Sequence, residues 1–445
     1  MANAFKSYDI RGVYNKELLP EDVFKVGLCH ADLVKQKVCI GYDSRTTSET
    51  ITNIYAAGFT SGGFDIVIIG MAPTPVCNYY SMLHKIDSVV VTGSHTPPEY
   101  NGIKFFDKLG IMYNERLRKL EQKYLTNDYK RANWDDIGKI THDNNAIKEY
   151  TDFITSKIRI NRKLKIVIDY GNGTGGLVTT NVLKKLGCDV VTINAETDGT
   201  FPNRKPEPTN ENLAFLQKRV VETKADFGVA LDGDADRSVF LDNTGRILDG
   251  STMSTFFAKE ILQKNKNAYI VASIDTSSTL KTVVEENKGN LVWCPVGMNN
   301  ISQGLIENKG MFAGEVSSHF YFNDYYPFSD GTLATIKLAQ ILSEKNEKMS
   351  QLINELPHYP IMHQKFNMQT HEKKIQTFEK IKKEVTKKYE VNTIDGVKFF
   401  LNKTDWILIR PSNTEPLIRL TVEAKDEKSL KKYIELYSKL ITKFL

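Results

Sequence analysis

Asp232-Gly-Asp-Ala-Asp-Arg237 places three carboxylates at alternate positions on a short turn, directly after the apolar run that starts Phe227-Gly-Val-Ala. Carboxylates this close repel unless cations compensate them, and Arg237 supplies one charge against three. Three aspartates converging on one hard cation leave positions open for water or a phosphate oxygen, a donor set that suits Mg2+. An EF-hand calcium loop does not fit. Its sixth position, a glycine, is Arg237 here, and its twelfth, a glutamate, is Asn243. The bland alternative is a solvated acidic turn.

Four other stretches carry chemistry-bearing residues. Thr92-Gly-Ser-His-Thr-Pro-Pro98 follows the apolar Ser88-Val-Val-Val91 and leads through Gly102 to Lys104. Prolines and glycines fix a backbone, so Ser94 can be held in one place. The Ser-His pair invites a hydrolase reading, but neighbours on a chain tend to point apart and a serine usually meets its base through the fold. Gly314-Glu-Val-Ser-Ser-His319 puts Glu315, Ser317 and His319 at alternate positions, so an extended segment would present all three on one face to the hydroxyls of a sugar. Arg410-Pro-Ser-Asn-Thr-Glu-Pro416 offers Arg410, Ser412, Asn413 and Thr414 as a phosphate cradle, with Arg419 on the strand that follows. Gly171-Asn-Gly-Thr-Gly-Gly176 matches G-x-G-x-x-G after a strand, with Glu196 at the end of the next one, so a dinucleotide-dependent oxidoreductase is a second hypothesis. A dinucleotide leaves the aspartate loop unexplained.

The elements that must position these residues read as a repeating unit. Lys37–Asp43, Lys163–Asp169 and Ala268–Asp275 are each a strand-like run ending in Asp, then a small-polar turn, then a helical pattern. That order predicts three related α/β domains with mixed or parallel sheets. The tail differs: a Lys/Glu-rich helix over 372–390, strands over Thr393–Leu401, Asp405–Arg410 and Pro416–Ala424, and a helix over Glu427–Phe444. This predicts a smaller α+β domain with an antiparallel sheet. The expected domains are 1–146, 147–247, 248–357 and 358–445. The chain has 445 residues, enough for several domains, and its 41% hydrophobic content supplies a core. A net charge of +5 is too mild to argue for nucleic acid. No apolar run reaches the ~18 residues of a membrane span, and the start shows no signal core. Five cysteines without metal or disulfide spacing suggest reduced thiols in a cytoplasmic protein.

Taken together, Tyr8-Asp-Ile-Arg-Gly12, the Ser94 loop, Asp232–Arg237, Gly314–His319 and Arg410–Pro416 resemble the α-D-phosphohexomutase family, in its phosphomannomutase/phosphoglucomutase branch. The resemblance implies four domains around a central cleft, three related α/β domains and a smaller α+β one. It implies that Ser94 is a phosphoserine and also a ligand, with Asp232, Asp234 and Asp236, of Mg2+. It further implies that Arg11, Lys104, Arg237 and His319 stabilise charge or move a proton. Glu315, Ser317 and His319 then contact the sugar, and Arg410, Ser412, Asn413, Thr414 and Arg419 its phosphate. The implied reaction converts a hexose 1-phosphate to the 6-phosphate through a hexose 1,6-bisphosphate. The partners would be mannose or glucose phosphates, in a monomer or homodimer without nucleic acid or membrane. Phosphoglucosamine mutase and a non-catalytic sugar-phosphate sensor are the alternatives. Hinge motion of the fourth domain is expected, to keep water from the phosphoryl group. Two departures stand out: Arg204-Lys205, where relatives often carry two histidines, and Met298, where a charged or imidazole side chain is common.

Overall fold

The structure, a computed structural model, describes residues 4–412 and 415–445. Two compact units emerge. The first runs to Asp249 and takes back Ser318–Leu352; the second comprises Gly250–Ser317 and Ile353–Leu445.

In the first unit, β1 (Ile10–Val13), α1 (Pro20–Val34), β2 (Val38–Tyr42), α2 (Ser48–Thr60), β3 (Ile66–Met71), α3 (Thr74–His84), β4 (Asp87–Val91), β5 (Tyr100–Phe106), α4 (Glu115–Thr126) and β6 (Ile140–His142) build one layered region. Its sheet has the order β1-β5-β4-β2-β3-β6. β2 runs parallel to β3 and β4, and β5 runs antiparallel to β4 and β1. The β-branched run Ser88–Val91 is buried on both faces, as a strand covered by helices requires. After α5 (Ala146–Lys157), the pattern repeats with β7 (Lys165–Asp169), α6 (Thr179–Lys185), β8 (Asp189–Ile193), α7 (Ala214–Thr223), β9 (Phe227–Leu231), β10 (Ser238–Asp242) and β11 (Ile247–Leu248). This sheet is ordered β11-β10-β9-β7-β8, parallel across β9-β7-β8 and antiparallel across β9-β10-β11.

The second unit opens with α8 (Gly250–Lys264), β12 (Tyr269–Ser273), α9 (Ser278–Glu286), β13 (Asn290–Cys294), α10 (Met298–Glu307) and β14 (Phe312–Gly314). Both β13 and β14 pair parallel to β12. The chain then returns to the first unit with β15 (Phe320–Phe322) and α11 (Gly331–Ser343), followed by α12 (Met349–Asn354). The tail holds β16 (Ile361–Asn367), α13 (His371–Thr386), β17 (Val397–Phe400), β18 (Trp406–Pro411), β19 (Leu417–Glu423) and α14 (Glu427–Thr442). Its sheet is antiparallel in the order β16-β19-β18-β17, with α13 and α14 packed on it.

The three α/β regions and the α+β tail match the expected fold class. The tail sheet has one strand more than the three expected. β16 is a sheet edge whose sequence, IMHQKFN, alternates too weakly to signal a strand, and only Phe366 is buried in it. All five cysteines are buried free thiols. Among the described residues, no helix is long and apolar enough to cross a membrane.

Candidate active site

Ser94 lies on the loop between β4 and β5 and is 2% exposed. Its φ is +51°, left-handed backbone that a serine adopts only when its surroundings impose it. The imposing groups stand at the end of β2. Asp43 Oδ2 accepts from Thr92 Oγ1 at 2.8 Å and from the Gly93 N–H at 3.2 Å. Arg45 Nε donates to the same carboxylate at 3.1 Å. The rest of the Arg45 guanidinium donates to four loop carbonyls: Ser94 at 3.1 Å, Thr96 at 2.6 Å, Pro97 at 2.6 Å and Tyr100 at 2.9 Å. Prolines alone therefore do not stiffen the loop; a buried ion pair grips it from behind. The strand-Asp-turn pattern at Asp43 was visible in the sequence, but nothing there linked Arg45 to carbonyls some 50 residues away.

The left-handed turn also overturns the expectation that Ser94 and His95 point apart. Ser94 Oγ lies 3.2 Å from His95 Nδ1. The cations Arg237, then burial, then Arg11 and Lys104 hold the His95 pKa far below the ordinary imidazole value, so the ring is neutral. A neutral imidazole can accept the Ser94 proton in a hydrogen bond.

The second contact of Ser94 Oγ is Asp232 Oδ2, at 3.2 Å. Asp232, Asp234 and Asp236 are all buried, on the turn from β9 to β10, and each offers an oxygen within 4.8 Å of the others. Ala235, at φ +57°, folds the turn inward, and the Gly331 N–H at the start of α11 donates to its carbonyl at 3.1 Å. Lys104 Nζ, reaching from β5, donates to Asp234 Oδ2 at 2.8 Å and to Asp236 Oδ2 at 3.0 Å. Thr74 Oγ1 adds a bond to Asp234 Oδ2 at 2.7 Å. Asp234 Oδ1 is buried without a hydrogen-bond partner. An unpartnered buried carboxylate oxygen in a turn where three carboxylates converge fits a hard divalent cation. The electrostatics agree. Burial, then Asp236 and Asp234, push the Asp232 carboxyl well above the usual range. Burial works against Asp236 too, but Lys104, His319 and Arg237 outweigh it and hold that carboxyl low. Burial likewise opposes the Lys104 charge, yet Asp234 and Asp236 raise its pKa, so it stays protonated.

Arg237 and His319 meet in this cluster. Arg237 Nε donates to His319 Nε2 at 3.2 Å, and that nitrogen is 3.4 Å from Asp236 Oδ1. Arg11, on β1, pairs with Asp9, and its Nε is buried without a hydrogen-bond partner. The structure thus brings Ser94, Arg11, Lys104, Arg237, His319 and the three aspartates into one unit.

The remaining expected residues lie in the second unit. The segment from Glu315 to His319 is a turn, not an extended strand, with Ser318 at φ +65°. The alternation that placed Glu315, Ser317 and His319 on one face therefore does not apply. Glu315 is buried and its Oε1 accepts from the Gly297 N–H, at the start of α10, at 3.1 Å; Ser317 is exposed. Arg410 Nη1 donates to Asp395 at 2.9 Å, and Asp395 also accepts from the Val296 N–H at 3.1 Å. Ser412 Oγ accepts from the Glu415 N–H at 3.2 Å, while Arg419 reaches Glu415 at 3.4 Å. Asn413 and Thr414 lie outside the described residues. Lys374, on α13, was not expected: its ammonium holds the Ser412 carbonyl at 2.6 Å and the Glu415 carbonyl at 3.2 Å. Its sequence context, a Lys-rich helix, reads as solvated surface and hides it.

The glycine-rich turn at 171–176 is filled by protein. A Cβ on Gly171 would meet the Arg204 guanidinium at 2.5 Å, and one on Gly173 would meet the Gly233 carbonyl at 2.6 Å. Gly173 permits a close approach to the aspartate loop and Gly171 one to Arg204, so protein fills the space that a pyrophosphate would need beside these glycines.

A fold of three α/β regions and an α+β tail, with a rigid buried serine against an aspartate triad, defines a phosphoryl-transfer scaffold. Four profiles of the phosphoglucomutase/phosphomannomutase family match in order: alpha/beta/alpha domain I over residues 2–131, domain II over 148–245, domain III over 249–359, and the C-terminal domain over 365–437. The chain belongs to this family, within the phosphohexomutases. It is 35% identical to a phosphoglucomutase/phosphomannomutase of Thermococcus kodakarensis over 100% of both chains. It is 33% identical to a phosphoglucosamine mutase of Methanocaldococcus jannaschii over 98% of each. The structure matches that of a phosphoglucomutase/phosphomannomutase family protein from Burkholderia thailandensis with a TM-score of 0.92 at 28% identity, covering 100% of this chain and 98% of the other.

Proposed function

We propose that the protein interconverts hexose 1-phosphate and hexose 6-phosphate, with mannose or glucose as the sugar, using Ser94 as the phosphoryl carrier. The observation that carries this reading is the buried, left-handed Ser94 with its hydroxyl 3.2 Å from Asp232 of the triad. The phosphoryl group leaves phosphorylated Ser94 Oγ, which takes up a proton, for a sugar hydroxyl, whose proton passes to a base, and a hexose 1,6-bisphosphate results. After reorientation, Ser94 Oγ gives up its proton and takes the other phosphoryl group, and the sugar oxygen that loses it takes up a proton. Asp232, Asp234 and Asp236, with a phosphoserine oxygen, would hold Mg2+, which neutralises charge on the transferred group. Lys104 and Arg237 stay protonated and stabilise anionic oxygens. Arg11 adds a third positive charge, and His319 sets the orientation of Arg237. Glu315 and Ser317 are assigned to sugar hydroxyls. Arg410, Ser412, Asn413, Thr414 and Arg419 are assigned to the phosphate that does not react.

A second reading, phosphoglucosamine mutase, has support from relatives of that name at 33–35% identity over nearly the whole chain. Phosphorus NMR decides between them. Mannose 1-phosphate, glucose 1-phosphate and glucosamine 1-phosphate are offered in turn with Mg2+ and a trace of the bisphosphate. Movement of a signal to the 6-phosphate position, fastest for mannose or glucose, is expected. Release of free phosphate alone would mean a hydrolase. Ser94→Ala should lower kcat by about a thousandfold or more, as loss of a covalent carrier does, and abolish phosphoenzyme in the intact mass spectrum. Near-normal turnover of that variant would remove Ser94 from the mechanism.

A further inference from the structure

Arg204 is built into the support of the aspartate loop. Arg204 is 6% exposed. Its Nε donates to Asp169 Oδ2 at 3.0 Å. One terminal nitrogen donates to the carbonyls of Lys205 at 3.0 Å and Pro206 at 3.3 Å. The other donates to the carbonyls of Asp169 at 3.2 Å and Leu231 at 2.5 Å. Leu231 is the residue immediately before Asp232. Asp169 is in turn fixed by the Gly171 N–H at 2.8 Å and Asn194 Nδ2 at 3.0 Å, both on its Oδ1. The turn below finishes the support: the Thr174 N–H donates to the Gly233 carbonyl at 3.0 Å.

This arrangement repeats what Arg45 does for the serine loop. In each case an aspartate at the C-terminal end of a parallel strand anchors a guanidinium whose other donors hold backbone carbonyls: four of the serine loop for Arg45, and for Arg204 the Leu231 carbonyl that directly precedes the aspartate loop. The strap between the two is short. Phe201, at φ +50°, lies with its ring 5.2 Å from the Arg45 guanidinium, three residues before Arg204.

We infer that Arg204 is a positioning residue for the aspartate loop: it sets the loop's register against Ser94 and so tunes divalent-metal affinity and phosphoryl transfer without touching substrate. This rests on the reading of Asp232, Asp234 and Asp236 as metal ligands under Proposed function. Lys would keep the charge but cannot span Asp169, Pro206 and Leu231 with one planar fork. Groups that orient metal ligands from behind typically matter by about 10- to 100-fold in affinity or activity.

The test uses Mn2+ as the probe, titrated into the full-length protein and followed by electron paramagnetic resonance, beside steady-state kinetics and thermal melts. Arg204→Lys should bind Mn2+ about tenfold more weakly and turn over about tenfold more slowly, with KM for the sugar phosphate unchanged. Its melt should stay cooperative. Wild-type Mn2+ affinity and kcat in that variant would overturn the inference, as would a loss of kcat that simply follows the unfolded fraction. Should Arg204→Lys fail to fold, Asp169→Asn decides: it leaves the guanidinium in place but weakens its anchor. Weaker Mn2+ binding by a folded Asp169→Asn supports the brace, and unchanged binding rejects it. A wild-type protein that binds Mn2+ but isomerises no hexose phosphate would sink the proposed function alone, because the Mn2+ shift would still report on Arg204. A wild-type protein that binds no Mn2+ would end both.

Discussion

Lys104 pairs its ammonium with two carboxylates of the aspartate turn, Asp234 Oδ2 at 2.8 Å and Asp236 Oδ2 at 3.0 Å. Its side chain is nearly inaccessible, so the pair is not screened by water. Lys104→Met leaves two buried carboxylates facing each other. Removing one partner of such a pair costs about 3–5 kcal/mol. The metal-free variant should therefore melt well below the wild type. Millimolar Mg2+ should recover much of the loss, because the cation replaces the missing charge and binds only the folded turn. Melts with and without Mg2+ check this, and a metal-free variant that melts like the wild type would show that the ammonium is not what holds the turn. At this scale the sequence was most readable where the chemistry is contiguous. Asp232–Arg237 and the Ser94 loop stand out as candidate sites by residue type and spacing, and the structure brings Ser94 against Asp232. Arg45, Arg204 and Lys374 do not, because their partners are backbone carbonyls, which no side chain encodes. The pairing of Ser94 with His95 was misread for a related reason: it depends on a positive φ at Ser94 that only Asp43 and Arg45, distant in sequence, can impose.

At the scale of elements, the serine loop and the aspartate turn touch through glycine. A Cβ on Gly233 would come within 2.6 Å of the Ser94 carbonyl, and neither backbone can yield without moving its brace. Gly233→Ala should therefore separate the two loops. Overpacking of this kind costs about 1–3 kcal/mol in stability. Under the proposed function activity should fall far more, since the transfer depends on keeping Ser94 Oγ, 3.2 Å from Asp232 Oδ2, in register with the aspartate turn. Kinetics beside a melt separate the two effects, and a variant with full kcat would show that the loops tolerate separation. Element order and type were legible in the α/β part where a β-branched run ends in Asp and a small-polar turn, as at Lys37–Asp43, Lys163–Asp169 and Ala268–Asp275. The tail strand β16 was not, since an edge strand that is mostly exposed carries polar residues and loses its alternation. Alternate polar residues share one face only in an extended segment, and Glu315–His319 is instead a turn closed by a left-handed Ser318.

Across the whole molecule the repeat seen in the sequence becomes a repeat in electrostatics. Asp43, Asp169 and Asp275 lie at or just beyond the ends of β2, β7 and β12, and Arg45 and Arg204 serve the first two. The third aspartate has a lysine instead, Lys398, which comes from the tail sheet of the same unit. Its Nζ donates to the Ile274 carbonyl at 2.7 Å and the Thr276 carbonyl at 3.4 Å, on either side of Asp275. It sits over the rings of Trp406 at 3.8 Å and Trp293 at 4.3 Å. Beside it, buried Glu423 accepts from the Ser278 N–H at 2.8 Å and from Ser278 Oγ at 2.6 Å, as well as from Ser277 and Trp406. These bonds tie residues 250–317 to the tail within the second unit. A hinge that freed the tail alone would strip partners from two buried charges, so the expected motion of the fourth domain by itself is disfavoured; these two parts should move together. Lys398 also gives this tie a pH signature. Burial lowers its pKa to about 7, against the pull of Glu423 and Asp275. The unfolded chain keeps that proton until about pH 10.4. Between those values the unfolded state binds more protons than the folded one, so stability rises with pH, by at most about 1.4 kcal/mol per pH unit. Below pH 7 both states are protonated and the contribution is flat. Lys398→Met removes the titration, so the difference between wild-type and variant stabilities should climb in favour of the wild type from pH 7 to pH 10. Denaturant unfolding at each pH measures it, and parallel curves would mean that Lys398 keeps its proton among the tryptophans.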